Sequence, residues 1–352
     1  MKHQLFGNTR LRIPPIVFGT SALGNLYTEL DYETKLAIVK ECMDNVPKPV
    51  VFDCAGKYGA GLALEMLGKI LNDLNVSSND VIISNKLGWY RIPLEHEEPT
   101  FEPGIWKNLK NDAIQKISFQ GIIDCWEQGN DLLGKKFAPK LVSVHDPDEY
   151  LNQAKNAAER ENCLDDIINA YQALKELKKC GKVKAVGVGA KDWKVIKEIS
   201  EVVDLDWVMF ANSFTIMVHP PELLSFMAEI HQKGIAIINS AVFHAGFLTG
   251  GEFFDYKLIK PDSEENIAKF KWREAFYDLC KKHNVLPANA CVNFALTPPG
   301  VVGIALNTSK PGNVKKNVES VECTIPIEFW DDMKKMELIS SNYPLHLNLS
   351  NN

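Results

Sequence analysis

Eight short runs of mostly apolar, often β-branched residues punctuate this chain, and a longer segment with helical spacing follows each. The runs cover residues 16–19, 50–53, 81–86, 141–145, 184–189, 207–211, 235–240 and 301–306. Near-continuous apolar character, rather than alternation, marks strands buried on both faces of a parallel sheet. Between them, Leu67, Ile70, Leu71 and Leu74 recur at three- and four-residue steps, as do Ile167, Tyr171, Leu174 and Leu177. That spacing places each set on one helical face. Leu36, Val39 and Met43 follow Asp31, which reads as a helix N-cap. Shorter helical patterns lie at 195–202, 223–230, 270–279 and 314–318. Residues 93–137 are the least regular, and the expectation there is a long loop mixed with helix. Phe6-Gly7-Asn8-Thr9 reads as the turn of a β-hairpin within residues 1–12.

Eight strand–helix units with no linker and no internal repeat predict an α/β fold, a single-domain (β/α)8 TIM barrel spanning 1–352. Residues 319–352 form a C-terminal extension, and a doubly wound sheet is the alternative. The 352 residues exceed an average domain, but α/β barrels routinely reach such lengths as one unit.

Charge and cysteine usage bound the function. The 39 basic and 45 acidic residues leave a net charge of −6, without the basic excess that a nucleic-acid binder carries. No stretch approaches the roughly 18 apolar residues of a membrane span, and the start, MKHQLFGNTR, lacks a signal-peptide core. Eight scattered cysteines show neither CxxC nor zinc-ligand spacing, so they are expected as free thiols. The expectation is a reduced, cytoplasmic protein that acts on a small molecule and partners neither nucleic acid nor membrane.

A (β/α)8 barrel builds its active site at the C-terminal ends of its strands. Those positions here hold Asp53, then Tyr58 in the following Gly-rich loop, then Lys86, then His145. Singly, each has an ordinary explanation: a helix cap, loop packing, a solvated strand end. His145 with Asp146 and Asp148 mimics a metal site, but the spacing is poor and no metal is expected. Together, Tyr, Lys and Asp form a coherent proton-transfer unit. A phenol titrates near 10 unless its anion is stabilised; an adjacent ammonium stabilises it, and a carboxylate holds the ammonium in place. An imidazole beside them can hold a substrate oxygen. The set suits hydride transfer between nicotinamide and a carbonyl or alcohol carbon. A Schiff-base lyase using Lys86 as nucleophile is the rival reading of the same residues.

In that order and on those strands, Asp53, Tyr58, Lys86 and His145 resemble the catalytic tetrad of the aldo-keto reductases. The segments 18–27 (FGTSALGNLY), 144–148 (VHDPD), 187–189 (GVG) and 210–215 (FANSFT) are similar to the D-threo-aldose 1-dehydrogenase and L-fucose dehydrogenase branch. The resemblance implies Tyr58 as proton donor or acceptor, Lys86 and Asp53 tuning it, and His145 orienting the substrate. It also implies a nicotinamide cofactor held by Gly19, Thr20, Asp53, Asn212, Ser240, Asn307, Ser309, Lys310, Asn313 and Asn317. Departures are visible. Gly189-Ala190 stand where many members have Ser-Asn, Ala211 stands where Gln is common with Asn212 beside it, and Asn239 replaces a stacking tyrosine. Gly187-Val188-Gly189 lacks the third glycine of a dinucleotide fingerprint.

Asn307 and Asn313 align with positions often basic in NADP-preferring members. A 2′-phosphate wants a cluster of cations, so NAD is favoured over NADP, although Lys310, Lys315 and Lys316 are near. Substrate contacts are expected from Asn25, Tyr27, Trp89, His145 and His244, with Tyr90, Arg91 and Trp126 as further loop candidates. Aromatic faces mixed with hydrogen-bonding groups suit a polyhydroxylated ring. The leading expectation is therefore oxidation of C1 of a free aldose, with Tyr58 acting as a partly ionised phenolate. A general aldehyde/ketone or pyridoxal-type reductase stands as one alternative. A cofactor-sensing, non-catalytic regulatory subunit, like the potassium-channel β subunits that reuse this barrel, is another.

Overall fold

The computed structural model describes residues 1–255 and 257–345. The chain starts with two short antiparallel strands, β1 (Gln4–Leu5) and β2 (Arg12–Ile13). It continues through β3 (Ile16–Gly19), α1 (Tyr32–Asn45), β4 (Val50–Ala55), α2 (Leu62–Asp73) and β5 (Val81–Leu87). A second hairpin follows, β6 (Trp89–Pro93) and β7 (Asn111–Gln115), then α3 (Phe119–Leu133), β8 (Leu141–His145), α4 (Pro147–Leu151) and α5 (Ala157–Lys179). Next come β9 (Ala185–Ala190), α6 (Trp193–Val202), β10 (Trp207–Ala211), α7 (Pro221–Gln232) and β11 (Ala236–Ser240). The last part holds β12 (Phe253–Phe254), β13 (Lys257–Leu258), α8 (Glu264–Lys282), α9 (Pro287–Ala295), β14 (Val301–Leu306), α10 (Gly312–Glu322) and α11 (Ile327–Lys335).

Strands β3, β4, β5, β8, β9, β10, β11 and β14 pair in parallel and close into a barrel. This is the (β/α)8 architecture that the eight apolar runs predict, and it excludes an open doubly wound sheet. Helix starts are fixed by local chemistry. Asp31, Ser118, Asn156, Asp192 and Ser263 each accept a backbone N–H of the first turn of the helix that follows, satisfying groups that have no intrahelical partner.

The N-terminal hairpin closes the bottom of the barrel. Phe6 and Ile13 are fully buried against Val17, Val51, Ile82, Leu141, Ala185, Trp207, Met209, Ala236 and Ile238. Two glycines make that floor possible. A Cβ on Gly187 would lie 2.3 Å from the Trp207 indole, and one on Gly7 would lie 2.5 Å from the Gly234 carbonyl. The barrel is therefore plugged by side chains from below, and only its C-terminal mouth is free for chemistry.

The structure adds one element pair to the reading of residues 93–137. The expected loop and helix are present, as 94–110 and α3, and what the expectation lacked is the five-pair antiparallel ladder of β6 and β7 that frames the loop. Asn111-Asp112-Ala113-Ile114-Gln115 carries too few β-branched or aromatic residues to announce a strand. Residue 319 falls inside α10; beyond it α11 is tied to α8 through Asp332, which pairs with Lys282 and His283. The end of the expected extension, residues 346–352, lies outside the described residues. Among the described residues no helix is long and apolar enough to cross a membrane.

Candidate active site

Strand alternation aims Asp53 of β4, Lys86 of β5 and His145 of β8 into the barrel mouth. Ala55 is the register partner of Lys86, Ser143 lies opposite Lys86 on β8, and His145 lies opposite Gly189 on β9. Asp53, Lys86 and His145 are all buried, with 3–4% of their surface exposed. The Lys86 ammonium forms an ion pair with Asp53 and lies 4.8 Å from the Tyr58 ring centroid. The His145 ring meets the half-buried Tyr58 ring edge-on at 5.6 Å. The four residues expected to share chemistry therefore share one site.

Backbone packing fixes Tyr58. A Cβ on Gly56 would sit 2.3 Å from the Trp89 carbonyl, and one on Gly59, at φ +61°, would sit 2.3 Å from the Gly24 carbonyl. Only glycine permits these approaches, so the loop that carries Tyr58 is pressed between β6 and the segment after β3.

Electrostatics give the site its protonation states. Burial lifts the Tyr58 phenol above its usual 10, and the nearby Lys86 offsets only part of that rise. That direction runs against the expectation of a partly ionised phenolate: desolvation outweighs the ammonium and favours the protonated phenol. Burial works against the Lys86 charge, but Asp53 and Tyr58 outweigh it and hold the amine above its ordinary range. Burial, then Lys86 and Lys57, push His145 well below its usual value, so the imidazole is neutral. Its Nδ1 is buried without a hydrogen-bond partner among the described residues.

Two residues at this site escape a sequence reading. Trp106, in the excursion between β6 and β7, packs on Tyr58 at 5.9 Å and on Phe101 at 6.4 Å, walling the mouth. Lys57, beside Tyr58, is buried and gathers Glu102, Asp146 and Glu149. The one available signal was a lysine inside a Gly-rich turn next to a reactive tyrosine.

The expected substrate residues divide by what they touch. Trp89 faces the site, with Phe101 at 5.6 Å and the Lys57 ammonium 5.3 Å from its ring. Tyr27 stacks on Phe253 at 5.8 Å, joining the loops after β3 and β11. Asn25 is buried as a brace, donating to the Lys107 carbonyl and accepting from Leu30. Both nitrogens of His244 are engaged, one by Thr215 and one by Asp255, while its ring stacks on Phe254. Tyr90 lies against Lys116, Arg91 is held by Glu65 and the Ala60 carbonyl, and Trp126 lies under Lys182. Asp148 accepts the N–H groups of Lys191 and Asp192, which gives it a capping role.

The expected cofactor residues differ in what they have free to offer. Asn212, at φ +60°, holds a buried side-chain oxygen with no partner among the described residues. Such an acceptor fits the amide of a nicotinamide. Ser240 donates to the Phe210 carbonyl, leaving its oxygen as an acceptor, whereas Thr20 Oγ1 is taken up by the Asp53 carbonyl and the Cys54 thiol. Asn307 bonds Ser21 and lies over Gly19, where a Cβ would meet it at 3.3 Å. The α10 N-terminus carries no side-chain cap among the described residues; the Asn313 and Val314 N–H groups donate to the Lys310 and Pro311 carbonyls, and the positive end of the helix with exposed Lys310 beside it fits a phosphate group, with Ser309, Asn313 and Asn317 in the same segment.

Residues 15–337 match the sequence profile of the aldo/keto reductase family. The chain belongs to the aldo/keto reductase family. It is therefore an NAD(P)-dependent oxidoreductase, and Asp53, Tyr58, Lys86 and His145 stand where such a barrel places its chemistry. This aldo/keto reductase is 25% identical over 344 residues to pyridoxal 4-dehydrogenase of Microbacterium luteolum, covering 95% of this chain and 97% of that protein. It is 24% identical over 340 residues to D-threo-aldose 1-dehydrogenase of a Pseudomonas species, covering 94% and 95%. Its fold matches the holo form of an aldo-keto reductase from Bacillus halodurans with a TM-score of 0.68, at 19% identity and 96% coverage of both chains. The glycerol dehydrogenase of Gluconobacter oxydans superposes with a TM-score of 0.69, at 16% identity and 97% and 96% coverage.

Proposed function

We propose that this enzyme is an aldose 1-dehydrogenase with Tyr58 as its general acid and base. The observation that carries the reading is the Tyr58–Lys86–Asp53 chain beside a neutral His145, roofed by Trp89 and Trp106. His145 holds the substrate oxygen, and the tryptophan faces take the apolar face of a sugar ring. In reduction the protonated phenol gives its proton to the carbonyl oxygen; in oxidation Tyr58 first releases its own proton to solvent, and the resulting phenolate takes the C1 hydroxyl proton as the lactone forms. When bound, the nicotinamide accepts or supplies the hydride. Lys86 stays charged throughout, because Asp53 balances it, and stabilises the phenolate that oxidation requires.

NAD is the preferred cofactor in this reading. Asn307 and Asn313 are neutral where a 2′-phosphate needs cations, and the chain's net charge of −6 provides no general attraction for phosphates. Residues 1–352 act as one domain, and the eight unpaired thiols suit a reducing cytoplasm. A second reading, a pyridoxal-type dehydrogenase, draws on the flat walls of Trp89, Trp106 and Tyr58 and on the similarity to pyridoxal 4-dehydrogenase. A panel of free aldoses and pyridoxal, each with NAD and with NADP, followed by nicotinamide absorbance, decides between them. The account expects the largest kcat/KM with an aldose and NAD. Activity confined to pyridoxal supports the second reading, and tighter NADP binding overturns the cofactor assignment.

A further inference from the structure

Residues 94–110, between β6 and β7, lie over the mouth as a cap, and one buried cation ties that cap to the site. Lys57 is 3% exposed. Its ammonium lies 2.9 Å from Glu102 of the cap, 3.3 Å from Asp146 after β8 and 2.8 Å from Glu149 of α4. Glu102 also accepts from the Trp106 indole at 2.7 Å, and Trp106 packs on Tyr58. Glu149 is shared with Lys191, and Asp146 lies 3.5 Å from His145 Nε2. Other ties of the cap run to β7, where Thr100 donates to the Asp112 carboxylate and Phe101 and Trp106 pack with Ala60 and Ala113, and to the segment after β3: Tyr27 N–H to the Ile105 carbonyl, Lys107 N–H to the Asn25 carbonyl, and Asn108 to Glu29.

A buried ammonium needs anionic partners, and three carboxylates so close together need a cation. Lys57 satisfies both demands at the one point where the cap, the Tyr58 loop and the His145 strand end converge. We propose that Lys57 is a positioning residue that rivets the 94–110 cap over the active site, setting Trp106 against Tyr58 and screening His145 from the three acids.

The pH consequence follows from the groups around His145. Lys86, Lys57 and Lys191 oppose its protonation, Glu149 and the adjacent Asp146 favour it, and Tyr58 packs on its ring. Removing the Lys57 charge leaves the acids uncompensated, so His145 protonates at higher pH.

The inference has a conformational arm and a kinetic arm, and only the kinetic arm rests on the proposed reaction. Hydrogen exchange of peptides covering 94–110 is compared in the wild type, Lys57→Met, Lys57→Arg and Glu102→Ala, alongside NAD(H) titration. Faster exchange of the cap in Lys57→Met and Glu102→Ala, with recovery in Lys57→Arg, supports the rivet. Unchanged cap exchange in Glu102→Ala overturns it, even if Lys57→Met fails to fold. Kinetically, Lys57→Met raises KM for the carbonyl or sugar substrate by about tenfold or more, the scale of one charged hydrogen bond. It also moves the acidic limb of kcat/KM to higher pH while cofactor affinity holds. An unchanged KM with an unmoved limb refutes the kinetic role. If no substrate turns over with wild-type enzyme, the exchange result still stands and the reaction assignment is what fails.

Discussion

Lys86→Met removes the ammonium from a pair in which both partners are buried, Asp53 at 3% exposure and Lys86 at 4%. Asp53 Oδ2 loses its cation, and its Oδ1 already lacks a hydrogen-bond partner among the described residues. Breaking one side of a buried pair typically costs about 3–5 kcal/mol, because the remaining charge is uncompensated. For a chain of 352 residues the unfolding entropy is about 0.7 kcal/mol per degree near Tm. The expected loss is therefore a fall in Tm of about 4–7 °C. The double variant Asp53→Val/Lys86→Met removes both charges and should recover most of that fall, since apolar replacement of a whole buried pair is often neutral. Thermal melts by far-UV circular dichroism at pH 7, checked by urea titration, read both. A single variant within 1 °C of wild type, or a double variant no better than the single, refutes the claim that the pair is a buried, mutually dependent unit.

Two other perturbations probe the site. His145 and His219 are both held below their usual value, burial being the leading cause for each, so the unfolded chain binds more protons than the fold below about pH 6.5. Stability is then complete above that pH and falls as pH drops through it; His145→Gln should flatten part of the fall in unfolding titrations between pH 7 and 5, and an identical slope contradicts the neutral imidazole. Asn212→Gly keeps the positive φ but removes the unpartnered acceptor, and one hydrogen bond of about 0.5–1.5 kcal/mol predicts a roughly 2- to 12-fold weaker nicotinamide dinucleotide Kd. An unaltered Kd by fluorescence titration removes Asn212 from the cofactor contacts.

The barrel was legible because its strands are buried on both faces and carry their own signal. Residues 16–19, 141–145, 207–211 and 301–306 coincide with β3, β8, β10 and β14, and the other four runs differ by one or two residues at their ends. Strand ends, in turn, located Asp53, Lys86 and His145, because barrel topology converts sequence order into convergence. What stayed hidden depends on partners far away in the chain. Lys57 reads as a solvated lysine in a turn, and only Glu102, Asp146 and Glu149, from three other segments, make its burial possible. Trp106 sits in a stretch whose neighbouring strand, β7, has almost no strand character. The Tyr58 phenol shows the same limit: a nearby ammonium is visible in sequence, whereas the desolvation that opposes it is a property of the packed mouth. His244 is expected as a substrate contact, and the structure commits both of its nitrogens to Thr215 and Asp255.

In the proposed reaction Tyr58 moves the proton while the rest of the barrel holds cofactor and substrate. Steady-state turnover of Tyr58→Phe with its best substrate, alongside NAD(H) titration of the same preparation, tests it most directly. General acid–base catalysis is worth about 10²–10⁴-fold. Turnover should fall by about that factor while the dinucleotide Kd stays within about twofold, because the phenyl ring keeps its packing on Trp106 and His145. Turnover close to wild type with intact cofactor binding would contradict the claim.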